Sequence, residues 1–282
     1  MKPRIGFFVR LMFMMLFMFL ILFMGGGLLH AQATPAPPAS DQPVTHRIEI
    51  NWLMEYLKME SGESTPWKSL YLKYSGSPSP TFNYFVQLGR VRRDGKSDYI
   101  GIIGAARDWT DWFYTYSAVS AGTRIDYLPR LRFDQDFNFK FLRNRALVWT
   151  IGMAYIRYHI PTRNWILSTA AKLYLKKLIL EYRLFRNQSN PGEVVSYTHL
   201  GSIGYGAEKK SWTFFNVSRG SQAYLAFYID NPEQIRQNAL NLSLVHRQWL
   251  FKNLGIELQF NYVDLEGGYQ KYGIFSSLFL EL

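Results

Sequence analysis

The chain has 282 residues, no cysteine, 17% aromatic residues and a formal net charge of +11. Without cysteine it can form neither a disulfide framework nor a thiolate metal site. Beyond residue 33 no apolar run reaches the 18 or more residues typical of a transmembrane helix, which excludes a helical membrane bundle.

Residues 1–33 are predicted to form a secretory signal peptide. A basic start is followed by 14 consecutive apolar residues, Leu11 to Met24, and by the cleavage pattern Ala31-Gln32-Ala33. The alternative, a membrane-anchoring helix, is disfavoured because this run is short for a span of about 20 residues. Export argues against nucleic acid as a partner. The basic charge favours anionic partners such as lipopolysaccharide phosphates.

Residues 34–45 are rich in proline and alanine and are predicted to form a flexible periplasmic lead-in. Residues 46–282 are predicted to form one domain, in which apolar and polar residues alternate over segments of about ten residues. A period of two indicates strands with one apolar and one polar face, long enough to cross a bilayer when tilted. The predicted strands, in chain order, are 47–58, 66–74, 82–91, 98–107, 112–121, 132–141, 146–159, 164–175, 178–186, 195–207, 211–219, 238–250 and a hairpin within 254–282.

The pattern therefore predicts an all-β, transmembrane, antiparallel up-and-down β-barrel with about 14 strands, 12 being the alternative. The last hairpin turns at Gly267-Gly268, and the apolar alternation continues to Leu282. Outer-membrane barrels end in this way because the final strand closes on the first and leaves no open edge in lipid. Outer-membrane lipids are the expected surroundings, and the barrel-assembly machinery is expected to engage this last strand.

The connections suggest an orientation. If both ends of the barrel are periplasmic, the connections 108–111, 142–145, 208–210 and 251–253 are short periplasmic turns. Longer connections at 122–131, 187–194 and 220–237 then face outward, as in outer-membrane barrels. Residues 75–80, with two prolines, are predicted as a turn, and 220–237 as a loop, an extra strand or a segment folded inward. Seven tryptophans fall near strand ends and are predicted at the membrane interface: Trp67, Trp109, Trp112, Trp149, Trp165, Trp212 and Trp249.

Charged residues occupy the polar faces of several predicted strands. One interpretation is a salt-bridged lumen that stiffens or plugs the barrel. The other is a polar pathway for a hydrophilic solute, with room for a channel unless 220–237 folds inward. The predicted lumen-lining residues are Arg47, Glu49, Glu55, Arg132, Asp134, Asp136, Lys140, Glu181, Arg183 and Glu257.

No catalytic, metal or cofactor motif emerges. His199 and Ser202 are close in sequence, but a separation of three residues places them on opposite faces of a strand. His246 falls on the apolar face, where an interfacial position is expected. The glycines of residues 201–206 are interpreted as relieving curvature or crowding within a strand. The chain is therefore expected not to be an enzyme.

Three short segments resemble the YaiO family of outer-membrane β-barrel proteins. They are Ser218-Arg219-Gly220 with Tyr224-Leu225, Asp126-Tyr127-Leu128-Pro129, and Lys271-Tyr272-Gly273-Ile274-Phe275. The resemblance covers the chain from about residue 46. It implies an outer-membrane barrel without an agreed activity and an association with surface polysaccharides. From it we expect a pore or export component that handles a saccharide, or else a structural or adhesive barrel that binds a partner through its outer loops.

Overall fold

The computed structural model describes residues 45–59, 64–93, 95–123, 128–159, 161, 163–190, 194–221, 238–266 and 269–282. The predicted signal peptide, residues 1–33, and nearly all of the lead-in lie outside the described residues. Fourteen strands are formed within them: β1 (Thr45–Met59), β2 (Ser64–Ser79), β3 (Phe82–Arg93), β4 (Lys96–Asp108), β5 (Phe113–Gly122), β6 (Pro129–Phe141), β7 (Leu147–Tyr158), β8 (Arg163–Leu175), β9 (Leu178–Asn190), β10 (Val194–Ala207), β11 (Ser211–Ser221), β12 (Asn238–Trp249), β13 (Leu254–Leu265) and β14 (Tyr269–Glu281).

The strands form one closed antiparallel barrel. Each strand pairs with its neighbours in sequence, and β14 pairs with β1 along a register that runs from Arg47↔Glu281 to Met59↔Tyr269. Closure gives every strand two partners, as the absence of water in a bilayer requires. The predicted fold class and the count of fourteen are confirmed, and the alternative of twelve strands is wrong. No helix in the described residues has the length and apolar character needed to cross a membrane.

Side-chain direction follows the alternation of the sequence, as β1 illustrates. Ile50 and Trp52 point outward and are 38% and 44% exposed, whereas Glu49 and Asn51 point inward and are each 3% exposed. An apolar outer surface suits lipid, and the polar side chains collect inside the barrel.

The two ends of the barrel differ in their connections. We call the end of the barrel at which β1 begins and β14 finishes the terminal end. The connections between strands at this end contain two to five residues. At the opposite, far end the connections contain two to sixteen residues, the longest being 222–237. The asymmetry is that of outer-membrane barrels, in which the longer loops face the exterior.

Two predicted connections are largely strand. β2 continues to Ser79, with a register shift between Gly76 and Ser79 that accommodates the proline at position 78. β9 continues to Asn190 because the inward Asn187 and Ser189 are buried and extend the ladder with polar side chains. The predicted loop 220–237, beyond Ser221, and the predicted turn Gly267-Gly268 lie outside the described residues.

Candidate functional site: the charged and aromatic lining of the barrel

The inward faces of the strands carry the most distinctive chemistry of the molecule. All ten predicted lumen-lining residues lie at inward positions. They range from buried side chains such as Glu49 and Lys140, which are 3% and 5% exposed, to half-buried ones such as Asp134. The inward charges are arranged in pairs, which the following contacts define.

Three of these pairs join residues directly opposite each other on neighbouring strands. Lys73 Nζ lies 3.5 Å from Glu49 Oε2, where β2 meets β1. The register also places Lys172 opposite Glu181, with 2.9 Å between Nζ and Oε2, and Arg247 opposite Glu257, with 2.8 Å between Nε and Oε2. Opposite charges in this relation stabilise strand pairing.

Two ion pairs among the described residues join strands that are not neighbours: Asp108–Lys140, from β4 to β6, and Asp136–Arg183, from β6 to β9. Arg183 on β9 donates from Nη2 to Asp136 Oδ1 on β6 at 2.7 Å, passing over β8 and β7. On the way it donates to Ser168 Oγ from Nε at 3.2 Å and from Nη2 at 3.0 Å. On β7 the path crosses Gly152. A Cβ added there would lie 2.2 Å from Asp136 Oδ1 and 2.6 Å from Arg183 Nη2. The missing side chain of Gly152 therefore leaves the space that the ion pair occupies.

A second group of charges closes the terminal end of the barrel. Arg47 on β1 forms ion pairs with Glu281 on β14 and, at 3.5 Å, with Glu49. The Glu281 carboxylate also pairs with Lys209 of the β10–β11 turn and accepts a hydrogen bond from Trp249 Nε1 at 3.3 Å. This carboxylate therefore links four separate elements of the chain.

In the remaining pairs, too, an inward acid lies beside an inward base. Lys271 Nζ lies 3.1 Å from Glu55 Oε1, although the lysine is only 1% exposed. Arg132 donates from Nε and Nη2 to both carboxylate oxygens of Asp134, each at 2.7 Å. Among the described residues, eight inward acids have eight different basic partners: Glu49–Lys73, Glu55–Lys271, Asp108–Lys140, Asp134–Arg132, Asp136–Arg183, Glu181–Lys172, Glu257–Arg247 and Glu281–Arg47.

Aromatic rings lie between these charges. Several of them stack on the glycine directly opposite on the neighbouring strand, where an added Cβ would approach the ring to between 2.1 and 2.3 Å. The backbone and the ring thus pack without an intervening side chain. In β10, Gly204 relieves crowding of this kind and Gly206 allows a close approach to the backbone of β11, whereas a Cβ added at Gly201 would lie 3.6 Å from Val217 Cγ1. The pairs are Tyr71–Gly89, Phe85–Gly104, Phe214–Gly204 and Phe279–Gly255.

Basic side chains also face aromatic rings. The Arg93 guanidinium lies 4.3 Å from the centre of the Trp67 ring, and the Arg47 guanidinium lies 4.8 Å from the Phe279 ring. Lys271 Nζ is 5.5 Å from the same Trp67 ring. Such cation–π contacts help to hold the bases in place where little water reaches them.

Apolar inward side chains narrow the barrel further. One buried cluster joins residues from β14 round to β4, including Phe275, Leu53 and Ile102, and Leu128 reaches it from the segment before β6. Another joins Ile179, Trp212 and Phe279 near the terminal end. Contacts between strands that are not neighbours mean that these side chains extend well into the lumen.

Sequence reasoning missed about half of the charged lining. Six of the eight residues concerned lie on predicted strands, on the face opposite the lipid-facing residues, so alternation could have identified them. Arg93 and Asp108 lie beyond the ends of the predicted strands 82–91 and 98–107. Their partners could not have been identified in this way, because several belong to strands far apart in sequence. The missed residues are Lys73, Arg93, Asp98, Asp108, Lys172, Arg247, Lys271 and Glu281.

The seven tryptophans predicted at the membrane interface divide into two groups. Trp109, Trp112, Trp149 and Trp165 are 43–54% exposed on the outer surface. The other three lie inward and are 6–9% exposed, contrary to the prediction, because they occupy inward positions of their strands: Trp67, Trp212 and Trp249.

The histidines considered for catalysis do not meet a serine. His199 is exposed on the outer surface and its Nδ1 lies 2.8 Å from Tyr182 Oη, whereas Ser202 points inward and donates to Asn216 Oδ1 at 2.6 Å. His246 lies at an outward position but is only 6% exposed, with its Nδ1 3.2 Å from Thr213 Oγ1. Within the described residues no three histidines or acids are grouped as metal ligands.

Comparison with known proteins places this barrel among outer-membrane proteins. The family model described as the YaiO membrane beta barrel domain matches residues 45–225. A search among curated proteins finds no significant match.

Among solved structures, a bacterial polysaccharide outer membrane secretin is similar, with a TM-score of 0.53 and 8% sequence identity. The match covers 84% of this chain and 98% of the secretin. Pseudomonas aeruginosa OccK7 (OpdD) has a TM-score of 0.50 at 9% identity, over 85% and 99% of the two chains. The COG4313 outer membrane channel from Pseudomonas putida F1 has a TM-score of 0.50 at 6% identity, over 89% and 100%. At these identities the likeness is one of fold.

Proposed function

Because the chain belongs to the YaiO family of outer-membrane β-barrels, we propose that it forms a narrow conduit for a neutral, hydroxyl-rich solute of the saccharide class. The observation that carries the proposal is the pairing of inward acids and bases.

Burying charged side chains inside the barrel has a cost in free energy. Removing two charges from water costs several kcal/mol per ion, and well-packed apolar residues in their place are often neutral or stabilising. A barrel with only a structural role would therefore gain little stability from eight ion pairs in its interior. A lining of this kind suits a lumen in contact with a hydrophilic solute.

The net charge of the lining bears on which solutes the barrel would admit. Ion-selective pores present rings of one sign of charge, whereas here eight inward acids each lie beside a base of their own. A neutral saccharide can use such a lining, since its hydroxyl groups both donate and accept hydrogen bonds. Inward rings such as Tyr71 and Tyr114 add flat apolar surfaces. The polysaccharide-related name of one structurally similar barrel is consistent with this proposal.

Reconstitution into vesicles and planar bilayers tests the proposal. We expect the purified protein to admit small saccharides in a vesicle-swelling assay and to give a low ionic conductance with little preference for cations or anions. The double variant Asp136→Asn/Arg183→Gln removes the ion pair that spans β6 to β9 and is expected to increase saccharide entry. The matched control, Asp111→Asn/Arg145→Gln, removes an exposed pair at the terminal end and should leave entry unchanged.

A second candidate is a structural or adhesive barrel whose lumen is filled by its own side chains. The near-complete burial of inward residues such as Lys271 and Phe279, which are 1% and 0% exposed, favours it. No swelling and no conductance with either the natural protein or the Asp136/Arg183 variant would reject the conduit and leave this candidate.

We also propose that the barrel is not an enzyme. The opposite directions of His199 and Ser202 support this view. Cells carrying His199→Ala or Ser202→Ala are expected to keep the phospholipid and lipid A profiles of the natural strain, and a changed profile would contradict the proposal.

A further inference from the structure

A basic patch lies on the outer surface of β6–β9. Four arginines occupy outward positions on these strands, three of them at the far end, and all are exposed or half-buried. The outward positions of β6–β9 carry no aspartate or glutamate, and none of the four arginines forms an ion pair with a described residue. They are Arg130, Arg157, Arg163 and Arg186.

Two of these arginines are directly opposite each other. The register of β7 and β8 pairs Arg157 with Arg163. Like charges in this relation destabilise a strand pair unless something neutralises them. Arg130 joins them from the start of β6, where the register shifts between Pro129 and Leu131 and Leu131 then pairs with Arg157. Three arginines thus lie on three consecutive strands at one level of the barrel.

Below the arginines, toward the middle of the barrel, the outer surface becomes aromatic and then aliphatic. Tyr155 and Trp165 form the next outward pair, with ring centres 4.7 Å apart. Met153 and Leu167 form the pair after that. Aromatic residues prefer the headgroup level of a membrane, and aliphatic side chains contact acyl chains. The arginines therefore lie at the height of the charged headgroups.

From this arrangement we propose that Arg130, Arg157 and Arg163 bind the phosphate groups of a phosphorylated glycolipid in the outer leaflet, the class to which lipopolysaccharide belongs. Guanidinium groups bind phosphate oxygens through paired, charge-assisted hydrogen bonds. Three arginines on adjacent strands match a headgroup with more than one phosphate. The apolar surface below them accommodates the acyl chains of the same molecule, which free phosphate lacks. The inference is independent of what passes through the lumen.

Native mass spectrometry of the detergent-solubilised full chain tests the site. The probes are bisphosphorylated lipid A, dephosphorylated lipid A and phosphatidylglycerol. We expect the natural protein to retain bisphosphorylated lipid A most strongly, and Arg157→Gln/Arg163→Gln to weaken that binding by about tenfold or more, since hydrogen bonds to charged groups are strong. The control Lys176→Gln/Lys177→Gln removes the same charge from an exposed turn at the terminal end and should bind as the natural protein does.

The outcomes separate the proposal from its rivals. Equal binding by Arg157→Gln/Arg163→Gln and the natural protein would overturn the site. Equal retention of phosphatidylglycerol would show a general preference for anionic lipid and would also overturn it. The two glutamine substitutions remove mutual repulsion, so a folded barrel is expected, and circular dichroism checks this. Arg157→Lys/Arg163→Lys keeps the charge without the planar fork and should recover only part of the binding.

Discussion

Gly152 allows β6 and β9 to be joined by an ion pair across two intervening strands. The Asp136–Arg183 contact passes through the volume that a side chain at this position would occupy. Alternation in the sequence predicted that Asp136 and Arg183 face inward. It could not predict that they meet, because that contact depends on an absent side chain on a third strand.

Gly152→Ala is therefore expected to displace this ion pair and to destabilise the barrel by about 1–3 kcal/mol, the usual cost of overpacking a filled interior. Urea unfolding in detergent or vesicles measures the change. Gly101→Ala is the matched control, since its added Cβ would meet only Leu88, at 3.7 Å. Equal unfolding midpoints for the two variants would contradict the role assigned to Gly152.

At the scale of elements, the strand boundaries show what alternation can and cannot predict. The starts of β3 and β9 and the end of β8 agree with the prediction, because a lipid-facing strand needs an apolar residue at every second position. β2 and β9 extend beyond their predicted ends, to Ser79 and Asn190. A proline at a bulge and polar residues beyond the apolar band both resemble turns in sequence. The ladder nevertheless resumes at Ser79 after the bulge, and the polar residues at the end of β9 pair with β8.

The seam between β14 and β1 closes the barrel, and a buried ion pair lies across it. Lys271→Met would leave the buried Glu55 carboxylate without this ammonium group. Breaking one side of a buried pair costs about 3–5 kcal/mol, whereas removing both charges is much less harmful. We expect Lys271→Met to lower the unfolding midpoint strongly and Lys271→Met/Glu55→Gln to restore part of it.

A double-mutant cycle over Lys271→Met, Glu55→Gln and the combined variant gives the coupling energy between the two residues. Lys252→Met, in an exposed turn at the terminal end, is the control and should leave the midpoint unchanged. Additive effects of the two substitutions would mean that the pair does not stabilise the seam.

At the scale of the whole molecule, charged residues are arranged differently on the inner and the outer surface of the barrel. Inside, acids and bases are matched. On the outer surface, the far end carries basic residues on the strands in addition to the patch on β6–β9, such as Arg90, Arg92 and Arg219. Asp264 is an acid at an outward strand position of the same end. The sequence predicted the lipid-facing surface from alternation, and the closed barrel from alternation together with the apolar pattern that continues to Leu282. The matching of inner charges required the register of all the strands together.

The excess of outward bases at the far end also bears on orientation. Outer-membrane barrels place longer loops outside, and phosphorylated lipid in the outer leaflet would neutralise these bases. On both grounds we expect the far end to face the cell exterior. Because the chain contains no cysteine, a single introduced cysteine reports its own location without background.

Ser97→Cys lies at the far end and Lys252→Cys at the terminal end, both at exposed positions. On intact cells, a membrane-impermeant maleimide is expected to label Ser97→Cys and to leave Lys252→Cys unlabelled until the outer membrane is permeabilised. The natural chain is the blank. The reverse pattern would place the basic patch on β6–β9 in the periplasmic leaflet, and the phosphorylated glycolipid of the outer leaflet would then be out of its reach.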